Sequence, residues 1–464
     1  ISEEPFMEGT RGFLDNLKLR LSYGLSGADN ISSSLWKETW ETEQITVDGE
    51  TVTTYVPGEM LANPDLKWET TTSRNMGLDF GFLDNRINGN IDAYWNSTKD
   101  ILMKVPVDAT SGYSYQFQNV GETSNKGFEI AVNVDVVRTR DFDFNISATY
   151  NYNKNNIEDL NDDALADTHT GWGSTMRLPY YDYVIRKGKP VGLIQGFKSA
   201  GFYTVDDFDY SNGVYTLKDG VPDIEAIINY PTNVTSGFNL ADGQTAFPGC
   251  VKFEDVSGDG EIVNADDATY IGETMPKHTG GFAFNARYKQ FDLSTSFTYQ
   301  IGGKVYNANA MHSMMGNKDN SLGQNRLAFV ADCYNVYDVN SSGELELVTD
   351  PTALSELNKN AKYALNYSEY GICSSQFIED ASFLRLQNIT VGYTLPRKWI
   401  NKIGIQNFRL YFSGTNLFCI SGYSGLDPDV NTDTDGVDGF PVPNYDYNSY
   451  PKARSYTFGL NVTF

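Results

Sequence analysis

The chain is written in stretches of about ten residues in which apolar and small polar side chains alternate strictly. The last stretch sets the pattern. Tyr456, Phe458, Leu460, Val462 and Phe464 share one parity, while Ser455, Thr457, Gly459, Asn461 and Thr463 share the other. Successive strand residues point to opposite faces, so such a segment has one greasy face and one small polar face. The same dyad fills 17–25, 76–82, 87–95, 128–136 and 142–152, and returns in 281–288, 291–301, 383–395 and 408–419. In the 383–395 stretch the apolar parity slips, from Leu384 and Leu386 to Ile389, Val391 and Tyr393. A β-bulge, or an early part packed on protein, would produce that slip.

The connections sort by length. Those at 84–86, 138–141, 187–189, 289–290 and a longer one at 396–407 alternate with long ones at 27–70, 97–126, 154–176, 204–278, 302–382 and 420–453. A soluble sandwich has no reason to sort its loops, whereas outer-membrane barrels place short turns on one rim and long loops on the other. An apolar strand ending in phenylalanine resembles the closing strand of such barrels. With 177–186 and 190–203 read as a hairpin around Lys187-Gly188-Lys189, the sequence predicts an all-β, transmembrane antiparallel barrel wall of about twelve strands.

Composition agrees. A net charge of −25 and a pI near 4.4 argue against nucleic acid and suit acidic surface loops. Mean hydropathy is −0.40, a value that alternation readily conceals, and no apolar run reaches the roughly 18 residues of a transmembrane helix. Aromatics make up 14 %, as two interfacial girdles require. The start, Ile1-Ser2-Glu3-Glu4-Pro5, has neither an initiator Met nor a signal peptide, as in a mature or truncated chain. Cys250, Cys333, Cys373 and Cys419 have no CxxC spacing, allow three pairings if all are oxidised, and read as free or incidentally paired thiols. His169, His278 and His312 lack zinc spacing.

Several blocks resemble the C-terminal half of SusC/RagA-like TonB-dependent outer-membrane transporters of Bacteroidota. They are Leu17-Lys18-Leu19-Arg20-Leu21-Ser22-Tyr23-Gly24, Asn63-Pro64-Asp65-Leu66-Lys67-Trp68-Glu69-Thr70, Asn119-Val120-Gly121 with Asn125-Lys126-Gly127, and Asp255-Val256-Ser257-Gly258-Asp259-Gly260. Further on stand Phe377-Ile378-Glu379-Asp380-Ala381-Ser382-Phe383-Leu384-Arg385-Leu386 and Gly414-Thr415-Asn416-Leu417. The resemblance runs through essentially the whole chain. It implies a plugged barrel of about 22 strands, with an N-terminal plug, a TonB-binding segment and a SusD-like lipoprotein lid. This sequence has room for about half those strands and contains neither plug nor TonB segment, so it reads as the C-terminal portion of a longer transporter. The alternative, a complete small barrel, requires 17–25 to pair with the last strand.

Residues 255–266 have the spacing of a calcium loop, with oxygen side chains from Asp255, Ser257, Asp259 and Asp266 and a backbone carbonyl from Glu261. Asp in the twelfth position resembles a dockerin loop rather than an EF-hand. The bland reading is an acidic, Gly-rich turn without metal. A second acidic loop, Asp427-Pro428-Asp429 with Asp433, Asp435 and Asp438, has poor spacing and reads as solvated. Trp36, Trp40, Trp68 and Trp172 lie in or beside long loops, where aromatic faces suit a sugar or peptide site; the first two and Trp172 are the substrate-binding candidates. Packing of loops is the competing role for each. Trp95 falls on the lipid parity. No catalytic arrangement stands out, which points away from an enzyme. The resemblance implies TonB-dependent import of a nutrient, a glycan oligosaccharide first and a peptide second. A passive porin or a surface-binding barrel is the alternative.

Overall fold

The computed structural model describes residues 4–10, 12–28, 35–160, 167–168, 182–224, 230, 232–314, 325–366, 372–432 and 442–464. Its frame is one ten-stranded antiparallel sheet in which each strand pairs with the next wall strand along the chain. The strands are β1 (Leu14–Ala28), β2 (Glu69–Phe82), β3 (Ile87–Lys99), β4 (Glu122–Arg138), β5 (Phe142–Asp159), β6 (His278–Tyr288), β7 (Phe291–Ile301), β8 (Phe383–Thr394), β9 (Asn407–Ser421) and β10 (Ser455–Thr463). The two edge strands, β1 and β10, are not paired with each other. Short turns join β2 to β3, β4 to β5 and β6 to β7, a longer connection with a helical turn at Arg397–Ile400 joins β8 to β9 on the same rim, and long connections leave the opposite rim. The sorting of loops seen in the sequence is therefore a sorting by rim, except for the short turn at 187–189, which belongs to the long-loop side.

Register follows parity. Leu19 lies opposite Leu78, Leu78 opposite Ile91, and Ile91 opposite Ile130, so apolar side chains stack in rows on one face. That face is bare: Leu21 is 72 % exposed and Phe458 81 %. In water such a surface would be untenable, and in lipid it is the outward wall. Aromatics crowd its two borders. Near the short turns Phe82 stacks on Phe13 at 6.4 Å, Phe142 meets Tyr288 at 6.3 Å and Phe291 meets Tyr393 at 4.7 Å. Toward the long loops Phe128 packs between Tyr150 and Tyr152, both at 5.7 Å.

Two expectations change. The sheet has ten strands rather than about twelve. The hairpin around 187–189 exists, with Tyr183 opposite Ile194, but it belongs to a separate four-stranded sheet. The physical reason is visible in its pattern. Tyr183, Val184 and Ile185, and Leu193 with Ile194, are consecutive apolar residues and all are buried, so both faces are covered by protein. The slip in β8 is a bulge between Leu386 and Asn388, and the residues before it, Arg385 and Leu386, are also buried.

The long connections fold into a packed unit on the far rim. Its core joins Tyr183, Phe197, Tyr203, Phe247 and Phe253 to Tyr306, Met311, Phe377 and Tyr445. Segments from two connections share one small sheet, in which Lys304–Asn307 pairs with both Ile378–Asp380, from the same β7–β8 connection, and Tyr445–Asp446, from the β9–β10 connection. The unit is moored on β5, where Ile157 N–H donates to the Lys189 carbonyl and Gly188 N–H to the Ile157 carbonyl, at 2.8 and 2.7 Å.

Candidate functional site

The small polar parity builds the inner face of the wall. Toward the long loops it is a hydrogen-bonding surface made mostly of amides and hydroxyls. Ser73, Asn75, Tyr94, Asn96, Asn125, Asn151 and Asn153 line a groove of about 540 Å³, with Glu129 as its one carboxylate. Asn125 Oδ1 accepts from the amides of Asn153 and Asn155 at 3.3 and 3.1 Å, and the Tyr94 hydroxyl donates to Asn153 Oδ1 at 3.0 Å. Asn151 lies opposite Thr279, its amide 3.3 Å from the threonine hydroxyl.

Toward the short turns the same face carries charges that pair with one another. Arg20 on β1 reaches across β2 to Asp92 on β3 at 2.8 Å and also holds Asp79. Gly77 lies between them, and a Cβ there would stand 2.4 Å from the Asp92 carboxylate and 2.7 Å from the Arg20 guanidinium. The arrangement repeats on the same face toward the other edge of the sheet. Arg409 on β9 pairs with Asp292 on β7 across Gly392, where an added Cβ would stand 2.4 Å from both partners. In each case a missing side chain on the middle strand lets an ion pair bridge its two neighbours. Arg287 and Asp143 form a third pair.

A buried latch ties wall to loops. Arg385 on β8 grips Asp427 through two hydrogen bonds of 2.8 and 2.6 Å, and Asn416 accepts a third from the guanidinium at 2.9 Å. Both charged side chains are nearly sealed from solvent, at 4 and 6 % exposed. The solvated reading of the 427–429 loop is thus wrong for Asp427: a full cation waits beneath it, and a bidentate fork offsets desolvation as water would not. Burial alone would push its carboxyl up, but Arg385, the Asp429 N–H and Lys452 hold it below the usual range. Asp433, Asp435 and Asp438 lie outside the described residues.

Residues 11–417 match the family of TonB dependent receptor-like β-barrels. The chain belongs to that family. It is 30 % identical to the TonB-dependent receptor P3 of Formosa agariphila and 29 % to the TonB-dependent receptor SusC of Bacteroides thetaiotaomicron, in both cases over 100 % of this chain. It spans 41 and 39 % of those relatives' length. The RagAB peptide transporter shares its fold, with a TM-score of 0.66 at 23 % identity over 97 % of this chain and 41 % of that one. The bare apolar face is accordingly the lipid face of a receptor wall in the outer membrane.

On this receptor wall the tryptophan candidates do not converge. Trp36 is half exposed beneath the Lys37 ammonium, 4.4 Å from its ring. Trp40 opens a solvent-exposed hairpin, Trp40–Val47 with Glu50–Pro57, where it lies opposite Pro57. Trp68 packs on Gly27 at the top of β1, and Trp95 faces lipid. Trp172 and His169 lie outside the described residues. His278 stacks against Tyr152 on the outer face at 5.3 Å, and His312 meets Tyr447 in the loop unit at 5.9 Å. All four cysteines are free thiols, and burial pushes those of Cys250 and Cys373 well up, away from reactivity.

The 255–266 loop is closed by its own hydrogen bonds. Asp255 accepts from the N–H groups of Gly258 and Gly260 at 2.5 and 2.9 Å and from the Ser257 hydroxyl at 3.1 Å. Those donors, Gly260 foremost, hold its carboxyl below the usual range. Asp259 accepts from Glu261 N–H. Asp266 is exposed, while its neighbour Asp267 is buried and takes the N–H groups of Val256, Ser257 and Val263. Among the described residues no three acidic, His or Cys groups gather as a metal cage.

Two functional features escaped the sequence reading. The Arg385–Asp427 latch had a signal, an arginine inside an apolar strand at the parity slip. The glycine-bridged ion pairs had none, because their partners are 59 and 72 residues apart for Arg20 and 117 for Arg409.

Proposed function

We propose that this chain supplies part of the barrel wall and the extracellular loop unit of a TonB-dependent nutrient importer. The observation that carries the reading is the inner face. Its upper half offers amides and hydroxyls around a single carboxylate, Glu129, which suits a hydroxyl-rich solute such as an oligosaccharide. Its lower half pairs its own charges and so holds no strong fixed field against passage. A peptide is the second candidate, supported by the likeness to the RagAB peptide transporter. The wall does no covalent chemistry. Energy reaches it through TonB acting on the rest of the protein, and a SusD-like lipoprotein closes over the loops.

Calcium is the ion that the 255–266 spacing would take, as a stiffener of the loop unit. Support comes from the spacing and from Gly258 and Gly260, whose left-handed φ values of 79° and 93° shape the turn. As folded, the carboxylates serve backbone N–H groups, so no step of transport is routed through the metal. The test of import is oligosaccharide uptake by cells carrying the full-length receptor, with and without a protonophore. Uptake that collapses on de-energising the inner membrane supports the reading; uptake that persists makes the barrel a passive pore.

A further inference from the structure

One lateral row on the lipid face departs from its surroundings. Register places Tyr23 opposite Arg74, Arg74 opposite Trp95, Trp95 opposite Lys126 and Lys126 opposite Lys154, a single line across β1 to β5. The row below it is apolar: Leu21, Met76, Ala93, Phe128 and Tyr152. Above it, from β2 onward, stand Thr72, Ser97, Ser124 and Asn156, all polar and uncharged. The line therefore marks the upper border of the apolar band. Eight residues separate Arg74 from Phe82 at the opposite border, which is roughly 20 Å once a strand tilt of about 40° is allowed for.

Three cations in one row are unexpected in a chain with 60 acidic and 35 basic residues. Lys126 and Lys154 lie directly opposite each other on neighbouring strands, where like charges destabilise a sheet. Glu158 partly offsets this, since it takes Lys126 at 3.3 Å together with the Ser124 hydroxyl. Among the described residues neither Arg74 nor Lys154 has an ion-pair partner, and both are exposed. Tyr23 ends the line and Trp95 lies between Arg74 and Lys126, both with amphipathic rings of the kind found at headgroup level.

We propose that Arg74, Lys126 and Lys154 bind the phosphorylated headgroup of a lipid in the outer leaflet. A guanidinium supplies a planar fork for phosphate oxygens and the two ammonium groups supply point charge. Acyl chains then lie against Met76, Phe128 and Tyr152 in the row beneath. The source is lipid rather than dissolved phosphate because these side chains leave the wall outward, at the top of the lipid-facing band. This inference rests on the outer-membrane placement and not on import, so failure of one leaves the other standing.

The experiment uses full-length receptor in detergent micelles and two probes, lipid A bearing its phosphate and the same lipid A with the phosphate removed. Wild type is expected to bind the phosphorylated probe more tightly. The triple variant R74Q/K126Q/K154Q should lose that preference, and K154Q alone should weaken it roughly five-fold. Heat-modifiable migration on a gel reports that each variant is folded, and K154Q carries the test if the triple variant is not. Equal binding of the two probes by wild type would overturn the proposal. So would unchanged binding by folded variants, or displacement of the lipid by inorganic phosphate at equal concentration, which would make free phosphate the ligand.

Discussion

Arg385 and Asp427 hold opposite charges within a few per cent of complete burial, so each depends on the other. Removing one partner leaves a desolvated charge, which costs about 3–5 kcal/mol, whereas replacing both with apolar groups is often near neutral. Arg385→Met should therefore release the segment around 421–432 to limited proteolysis, and R385M/D427L should restore resistance. Equal sensitivity of both variants would show that the fork is not what holds the loop. Because the Asp427 carboxyl is held below its ordinary 3.8, its contribution is present above that value and is lost as pH falls through the lower folded value. Protease resistance of the loop should fall in that acid window in wild type and stay flat in the double variant. At the same scale, Gly77→Ala should cost about 1–3 kcal/mol by crowding the Arg20–Asp92 bridge. Gly24→Ala meets nothing within 4 Å and should be silent. Thermal unfolding in detergent separates them, and equal midpoints would remove the bridge from the account.

Among elements, the wall strands were legible because each has one face in lipid and one in a polar lumen, and alternation is the direct record of that. The loop unit was not. Its strands are two to five residues long, its pairs join distant connections, and its apolar runs are buried on both sides, where period two vanishes. Hence 177–186 and 190–203 read in the sequence as a wall hairpin. The bulge in β8 was readable because a slipped register moves every later side chain to the other face. The acidic 427 loop was misread because its countercharge sits 42 residues earlier. Separate packing makes the loop unit separately breakable. Phe197 is fully buried and stacks on Phe253 at 4.8 Å, so Phe197→Ala should cost about 3–5 kcal/mol there. Proteolysis of the loops with an intact heat-modifiable wall is the expected result; joint loss of both would mean that they fold as one. Calcium should slow cleavage between 255 and 267, and Asp255→Asn should abolish the protection. Identical cleavage with calcium and with chelator would leave the loop as a self-closed turn.

For the whole molecule, the unpaired edges of β1 and β10 and the 41 % coverage of the receptor P3 bear on the same claim, that this chain is part of a larger barrel. Exposed edges with unpaired N–H and C=O groups are not tolerated in lipid, so both edges of the sheet need strand partners. The most direct measurement is the intact mass of the protein extracted from outer membranes. A mass well over twice this chain's 51.7 kDa is predicted, in a heat-modifiable species. A heat-modifiable species near 51.7 kDa would mean a self-contained barrel closed by β1 against β10, and would contradict the account.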